Sequence, residues 1–118
     1  MIAAAFLAVV AGCGGASKTY VFAPFRACVE GSATATFSAS DGDYIALDAP
    51  GGGGGVRFAH NFVSVGFQRT ENDASQVAGE GKAFGGDSAK VYNIGNVYIS
   101  WDYTPSDAEK QVLDACIS

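Results

Sequence analysis

The segment FVSVGFQRTENDAS, residues 62–75, contains the pattern on which the predicted fold depends. Apolar side chains alternate with small or polar ones up to Phe67, which indicates a β-strand with one buried face. Thr70 follows, with Asp73 three residues later, and this spacing is a variant of the capping box that begins a helix. The segment therefore predicts a strand that leads directly into a helix.

The segment VYISWDYTPSDAE, residues 97–109, repeats this pattern. Val97 corresponds to Val63, 34 residues earlier. Thr104 is the matching N-cap candidate, and Pro105 would occupy the first helical position, where its missing N–H costs nothing. Two copies are too few for a solenoid, so we expect an internal strand-helix duplication within one domain.

The same odd and even pattern extends along the chain. Apolar residues fall mainly at odd positions in the segments 33–39, 45–47, 63–67 and 97–101. Alternation of this kind is typical of an antiparallel sheet with one face buried and the other in solvent. We therefore predict an α+β fold: a single-layer antiparallel sheet of about four to five strands, with about three helices on one face.

Two further segments complete the predicted architecture. A first helix joins Val21, Phe25, Cys28 and Val29 on one face and ends near Gly31. The glycine-rich segment APGGGGG (49–55) predicts a flexible linker. Neither a Lys-Ser/Thr pair nor a GxGxxG pattern accompanies these glycines, so a phosphate-binding loop is disfavoured.

Length and charge restrict the possible functions. The 118 residues suffice for one domain, and twelve acidic against seven basic residues give a net charge of −5. Lys and Arg do not cluster, so the electrostatic attraction that drives nucleic-acid binding is missing. We expect no nucleic-acid partner.

An apolar run from Ile2 to Gly12 has the length of a secretory signal. Its last residues and the next one, VAGC (10–13), resemble the lipobox of bacterial lipoproteins. The resemblance implies cleavage after Gly12 and attachment of diacylglycerol to Cys13. It also implies export and a lipid anchor on the extracytoplasmic side of the cell membrane. The expected organisation is a signal peptide at 1–12, a lipidated cysteine and flexible tether at 13–19, and a small α+β domain at 20–118.

Cys28 and Cys116 remain as an even pair in an exported chain. Both lie on predicted core-facing helix stripes, which favours a disulfide between the first and last helices. A metal site lacks further Cys or His ligands at a suitable spacing, and a catalytic thiol needs a nearby base. The disulfide is the favoured interpretation.

The sequence contains no recognised catalytic motif. HExxH, GxSxG and SxxK are all missing, and we expect the single histidine, His60, to be structural. Asp41, Asp43 and Asp48 depart from a calcium-loop pattern because Ile45 interrupts it. Asp102 with Glu71 or Glu109 could form a carboxylate pair, but the sequence does not fix their separation. Acidic residues are favoured in the first turn of a helix, which accounts for Glu71 and Glu109 without a substrate. We predict no catalytic residue, metal or cofactor.

The even strand positions define a candidate binding face. Its members are polar or aromatic residues that we expect on the open side of the sheet: Thr36, Ser64, Gln68, Tyr98, Ser100 and Asp102. Such a surface could bind a protein, peptide or glycan, and a solvated face without a ligand is the alternative. Trp101 has the opposite parity and is predicted to lie in the core.

The predicted function is that of a lipid-anchored, exported domain with a non-catalytic binding or structural role at the cell envelope. A small cell-envelope hydrolase and an inhibitor of exported enzymes are the alternatives. A concave pocket with convergent titratable groups would favour the hydrolase, and a rigid protruding loop would favour the inhibitor.

Overall fold

The computed structural model describes residues 18–84 and 86–118. The lipobox and Cys13 lie outside the described residues. The helices of the described part are α1 (Phe22–Glu30), α2 (Tyr44–Leu47), α3 (Glu71–Ala83) and α4 (Asp107–Cys116). Its strands are β1 (Thr36–Ser38), β2 (Gly53–Arg57), β3 (Phe62–Phe67), β4 (Val91–Ile94) and β5 (Val97–Trp101).

The five strands form one antiparallel sheet in the order β1-β2-β3-β5-β4. Strands β2, β3 and β5 are therefore central, and β1 and β4 are its edges. The predicted α+β class and the antiparallel sheet are confirmed.

Helices cover both faces of this sheet, whereas the sequence predicted helices on one face. On the first face, the odd positions of β3 and β5 pack against α1 and α4 through Phe25, Val29 and Leu113. On the second face, Ile45 of α2 and Ala78 of α3 pack with Tyr98. We call these the first and second faces below.

Small residues on the second face explain its cover. Gly66 occupies an even position of β3, and a Cβ atom there would lie 3.0 Å from the Cα atom of Ala46 in α2. Alternation of small residues thus marks a surface that a helix approaches closely, not one in solvent. Tyr98 is 1% exposed, so the expectation that it faces solvent is wrong, whereas Trp101 is buried as predicted.

The glycine-rich segment is not a flexible linker, because residues 53–57 form the central strand β2. The predicted strand at 45–47 is instead part of helix α2. Both differences have one cause: α2 packs directly on β2. A Cβ atom at Gly53 would overlap the carbonyl oxygen of Ala46 and lie 2.6 Å from that of Val65.

The helix starts agree in part with prediction. Thr70 caps α3 and accepts a hydrogen bond from the backbone N–H of Asp73. Ser106, not Thr104, caps α4, where it forms a full capping box with Glu109. Helix α4 therefore begins two residues later than the aligned repeat requires.

The structure of residues 62–116 does not show the internal duplication. The helix that follows β3 packs on the second face, whereas the helix that follows β5 packs on the first. The two strand-helix units therefore have different arrangements in spite of their similar sequences.

The predicted disulfide between Cys28 and Cys116 is confirmed. It joins α1 to α4 with a Cα–Cα distance of 5.4 Å across a sequence separation of 88 residues. Cys116 is buried, whereas Cys28 is exposed. The disulfide therefore joins α1 to α4, the two helices that pack on the first face.

None of the helices in residues 18–84 and 86–118 has both the length and the apolar character needed to cross a membrane.

Candidate functional site

The six residues of the predicted binding face do not form one exposed surface. Ser64, Gln68 and Tyr98 are buried, with exposed fractions of 4%, 9% and 1%. Ser100 is half-buried, whereas Thr36 and Asp102 are exposed. Tyr98 is buried because α2 and α3 cover it, and Ser64 Oγ accepts a hydrogen bond from the backbone N–H of Asp43, which precedes α2. The prediction of an open, continuous face is wrong.

Part of that face nevertheless lines a cleft at the end of the second face nearest the β2–β3 turn. The cleft consists of two adjoining cavities of about 310 and 420 Å³, which share Asp43, Ser100 and Asp102. Tyr98 lines the smaller cavity and Ser64 the larger one. We call the two cavities together the sheet cleft. Its size suits a small or medium-sized ligand.

Asp43 organises the boundary between the two cavities. Its Oδ1 accepts a hydrogen bond from the backbone N–H of Ala46 at 2.9 Å and so caps α2. Its Oδ2 accepts a hydrogen bond from the Tyr98 hydroxyl at 2.7 Å, and its backbone N–H donates to Ser64 Oγ at 3.0 Å. These bonds fix the carboxylate, yet each oxygen can still accept a further hydrogen bond.

The Tyr98 hydroxyl remains protonated and donates to Asp43. Burial is the main cause that raises the pKa of Tyr98 above its ordinary value, and the hydrogen bond to the Asp43 carboxylate raises it further. Both effects disfavour a phenolate beside an existing negative charge. The pair therefore acts as a rigid part of the cleft wall at neutral pH.

Charged groups of both signs surround the cleft. The carboxylates are those of Asp41, Asp43 and Asp102, and the cations are Arg57 and Lys90. The Arg57 guanidinium lies 4.6 Å from the centre of the Phe62 ring, which gives it a defined position. Asp102 forms no ion pair with any described residue. Because Asp102 is also exposed, its carboxylate is accessible to a ligand.

Two exposed aromatic side chains border the smaller cavity. Tyr44 of α2 is 57% exposed, and Phe84, the residue after α3, is 78% exposed. Exposed aromatic rings beside convergent polar groups are common in binding sites, where their large surface offers contact area at low entropic cost.

Glu71 and Glu109 do not line the sheet cleft, so neither forms a carboxylate pair with Asp102 there. Glu109 Oε1 accepts hydrogen bonds from the Ser106 N–H at 2.9 Å and from Asn61 Nδ2 at 3.1 Å. The Ser106 bond is the main cause that lowers the pKa of Glu109. Glu109 is accounted for by its structural role in capping α4.

The remaining candidates do not converge on a site. His60 is exposed and lines neither cavity of the sheet cleft. Across residues 18–84 and 86–118, no three His, Cys, Asp or Glu side chains come together in a way that could hold a metal ion.

A larger groove of about 670 Å³ lies beside α4, and we call it the α4 groove. It is mainly apolar, and its lining includes Phe58, Val112, Ala115 and Glu109. Its polar lining residues are Thr34, Gln111 and Glu109. The Glu109 carboxylate already accepts hydrogen bonds from Ser106 and Asn61, and the Thr34 hydroxyl is bonded to that of Ser32, so the groove offers few free polar groups to orient a ligand. The sheet cleft, whose two cavities are each smaller than this groove, is the better candidate site.

Sequence reasoning found Ser100 and Asp102 but missed Tyr44, Arg57 and Phe84. Asp43, a residue type preferred at helix N-caps, is the local signal for the start of α2, and it could have placed Tyr44 on a helix. The contact between Asp43 and Tyr98 has no local signal because 55 residues separate them.

Comparison with known proteins adds no relative: no family model, no curated protein and no solved structure matches the chain. The residues of the sheet cleft and the N-terminal sequence are therefore the basis for a functional assignment.

Proposed function

We propose that the chain is an exported, lipid-anchored protein of the bacterial cell envelope that binds a polar ligand in the sheet cleft without chemical change. The observation that carries the binding role is the convergence of Asp43, Ser100 and Asp102 between two adjoining cavities. A concave site with a few oriented polar groups is the usual form of a small-molecule site.

Two features support export and anchoring. The VAGC sequence at 10–13 resembles a lipobox with Cys13 as the lipidated residue. The disulfide between Cys28 and Cys116 is typical of proteins that fold outside the reducing cytoplasm. Because lipid attachment to one cysteine leaves the domain free in solution at the membrane surface, the cleft would be available to envelope components.

The carboxylates of Asp41, Asp43 and Asp102 converge in a concave site, which is the feature that the hydrolase alternative requires. Binding is favoured over catalysis because both Asp43 oxygens already accept structural hydrogen bonds, from Ala46 and Tyr98. Nucleophilic catalysis requires a base within hydrogen-bond reach of the nucleophile. Ser64 Oγ instead accepts a hydrogen bond from the Asp43 backbone, and the chain's single histidine lies elsewhere. No histidine or cysteine is among the described residues that line the cleft.

Metabolic labelling tests the anchor. Bacteria that express the full chain are grown with labelled palmitate, and the protein is followed in the membrane fraction. We expect label and membrane retention for the wild type and neither for Cys13→Ser. Cys28→Ser is the matched control because it removes a cysteine outside the lipobox. Palmitate label on Cys13→Ser would contradict the anchor.

Ligand-induced stabilisation tests the cleft. The full chain in detergent is heated with and without a soluble extract of the cell envelope. A ligand at 100 times its Kd raises the free energy of unfolding by about 2.7 kcal/mol. We expect a higher Tm for the wild type and for the control Asp114→Asn, an exposed carboxylate on α4, but not for Asp102→Asn. Equal shifts in all three proteins would contradict binding in the cleft, and release of an altered ligand would favour the hydrolase.

A further inference from the structure

The position of the sheet cleft limits how a ligand can be recognised. Arg57, Ser64 and Ser100 belong to β2, β3 and β5, the three central strands. Ser64 is paired with Ser100 across β3 and β5, and with Gly55 on the other side. An extended peptide gains affinity by adding a strand to a free sheet edge, and here the edges are β1 and β4. Because the larger cavity lies over these central strands, a ligand there cannot add a strand to the sheet, and the side chains that line the cavity are the groups placed to recognise it.

The charge distribution disfavours an anionic ligand. Three carboxylates and two cations line the cleft, and the whole chain carries a net charge of −5. A phosphate or a nucleotide would approach against this field. Since Arg57 and Lys90 offset much of the negative charge locally, a strong cation is not required either. The balance favours a ligand without net charge.

The hydrogen-bonding groups favour a ligand rich in hydroxyls. The Asp43 and Asp102 carboxylates accept hydrogen bonds, whereas Ser100 can both donate and accept. Hydrogen bonds from neutral hydroxyls to carboxylates are charge-assisted and stronger than those between neutral groups. A ligand with several adjacent hydroxyls would satisfy these groups together.

The exposed aromatic rings favour a ligand that also has an apolar face. Tyr44 and Phe84 border the same cavity as Ser100 and Asp102. Sugar rings present hydroxyls at their edge and C–H groups on their faces, so they can contact both sets of groups. We infer that the sheet cleft binds a neutral saccharide, and this inference rests on the proposed function of the cleft as a binding site.

Calorimetric titration tests the inference with defined probes. The full chain in detergent is titrated with neutral tetrasaccharides of glucose, mannose and N-acetylglucosamine, and with the neutral saccharide pool released from the cell envelope. We expect saturable binding of at least one of them. Asp102→Asn should raise its Kd at least about tenfold, through loss of a charge-assisted hydrogen bond. Tyr44→Ala should raise it about three- to tenfold, through loss of the aromatic surface.

Matched controls separate these effects from damage to the fold. Tyr103→Ala removes an aromatic side chain that is 69% exposed and does not line the cleft. Asp114→Asn removes an exposed carboxylate on α4. Both should bind like the wild type, and all four variants should keep the wild-type Tm within about 3 °C because the substituted side chains are exposed.

The outcomes distinguish the inference from the proposed function. If no saccharide binds while the envelope extract still raises the Tm of the wild type and not of Asp102→Asn, the cleft binds another ligand and the saccharide assignment is overturned. If neither saccharide nor extract has an effect, both are overturned. Saccharide binding that is unchanged in Asp102→Asn and Tyr44→Ala would place it outside the cleft and also overturn the inference.

Discussion

Replacing Gly53 by alanine tests whether the glycine-rich segment forms a central strand directly beneath α2. The added Cβ atom would overlap the carbonyl oxygen of Ala46 and lie 2.6 Å from the carbonyl oxygen of Val65. Ordinary van der Waals contact begins at 3.4 Å, so the second contact alone is about 0.8 Å too short. Both obstructing atoms are backbone atoms, which cannot turn aside as the end of a side chain can.

The expected cost follows from this overlap. Overpacking a core typically costs about 1 to 3 kcal/mol, and the need to shift two backbone segments places Gly53→Ala near the upper end. Alanine also restricts the unfolded chain, which offsets about 0.4 to 1 kcal/mol. We therefore expect a net loss of about 2 kcal/mol from a total of about 5 to 15 kcal/mol.

Equilibrium denaturation measures the loss, with the fluorescence of the single tryptophan as its signal. Trp101 is 3% exposed and becomes exposed to solvent on unfolding. Gly79→Ala in α3 is the matched control, because no heavy atom lies within 4 Å of the added Cβ position. It should raise the free energy of unfolding by about 0.5 to 1 kcal/mol. A Gly53→Ala protein as stable as the wild type would refute the close packing of α2 on β2.

Three further predictions concern the disulfide, the two faces and the α4 cap. Replacing both Cys28 and Cys116 with alanine should lower the free energy of unfolding by about 4 to 5 kcal/mol, because the disulfide closes a loop of 88 residues. Equilibrium denaturation measures this loss, and an unchanged denaturation midpoint would contradict a stabilising disulfide. Trp101→Ala should lower the free energy of unfolding by about 3 to 5 kcal/mol, because it empties a site in the core. Tyr98→Phe should lower it by about 1 to 2 kcal/mol, because it removes one partly buried hydrogen bond and keeps the ring. An unchanged stability of Trp101→Ala would place Trp101 outside the core. The pKa of Glu109 in the folded protein lies below its ordinary value of about 4.3. The ionised carboxylate therefore stabilises the fold above about pH 4.3, and this stabilisation is lost as the pH falls through the folded-state pKa. The stability difference between wild type and Glu109→Gln should therefore shrink in acid denaturation, and a difference independent of pH would contradict the assignment.

The fold was predictable where side chains carry a periodic signal. Val63, Val65 and Trp101 alternate with small or polar residues, and their burial on the first face agrees with that pattern. The pairing of Cys28 with Cys116 followed from the cysteine count, whereas the helix periodicity that placed both in the core holds for Cys116 and not for the exposed Cys28. Such signals are local and need no knowledge of what packs against the strand.

The glycines of β2 explain why the alternating pattern did not predict this strand. Five consecutive glycines have no side chains to alternate, so they resemble a linker in sequence. The physical reason for Gly53 is the approach of Ala46 from α2, a contact that becomes apparent only when both segments are placed in space. The burial of Ser64 and Tyr98 was not predicted for the same reason. The polar residues at even strand positions indicated a face in solvent, whereas helices that are distant in sequence cover it.

The candidate site was predictable to a similar degree. Ser100 and Asp102 share the strand parity that led to them, and both line the sheet cleft. Tyr44 lies on α2, in a segment whose pattern predicted a strand, and Phe84 lies just beyond the end of the predicted helix α3. The cleft therefore depends on long-range packing that brings 41–44 and Phe84 to the end of β5.

The central claim is that this protein binds its ligand in the sheet cleft. Chemical-shift mapping by NMR tests this claim most directly. The ¹⁵N-labelled full chain in detergent is titrated with the soluble envelope extract. We expect the largest shift changes at 41–44, Phe84 and 100–102, which line the cleft. Changes concentrated at Phe58, Val112 and Ala115 in the α4 groove, or no changes at saturation of the extract, would contradict the claim.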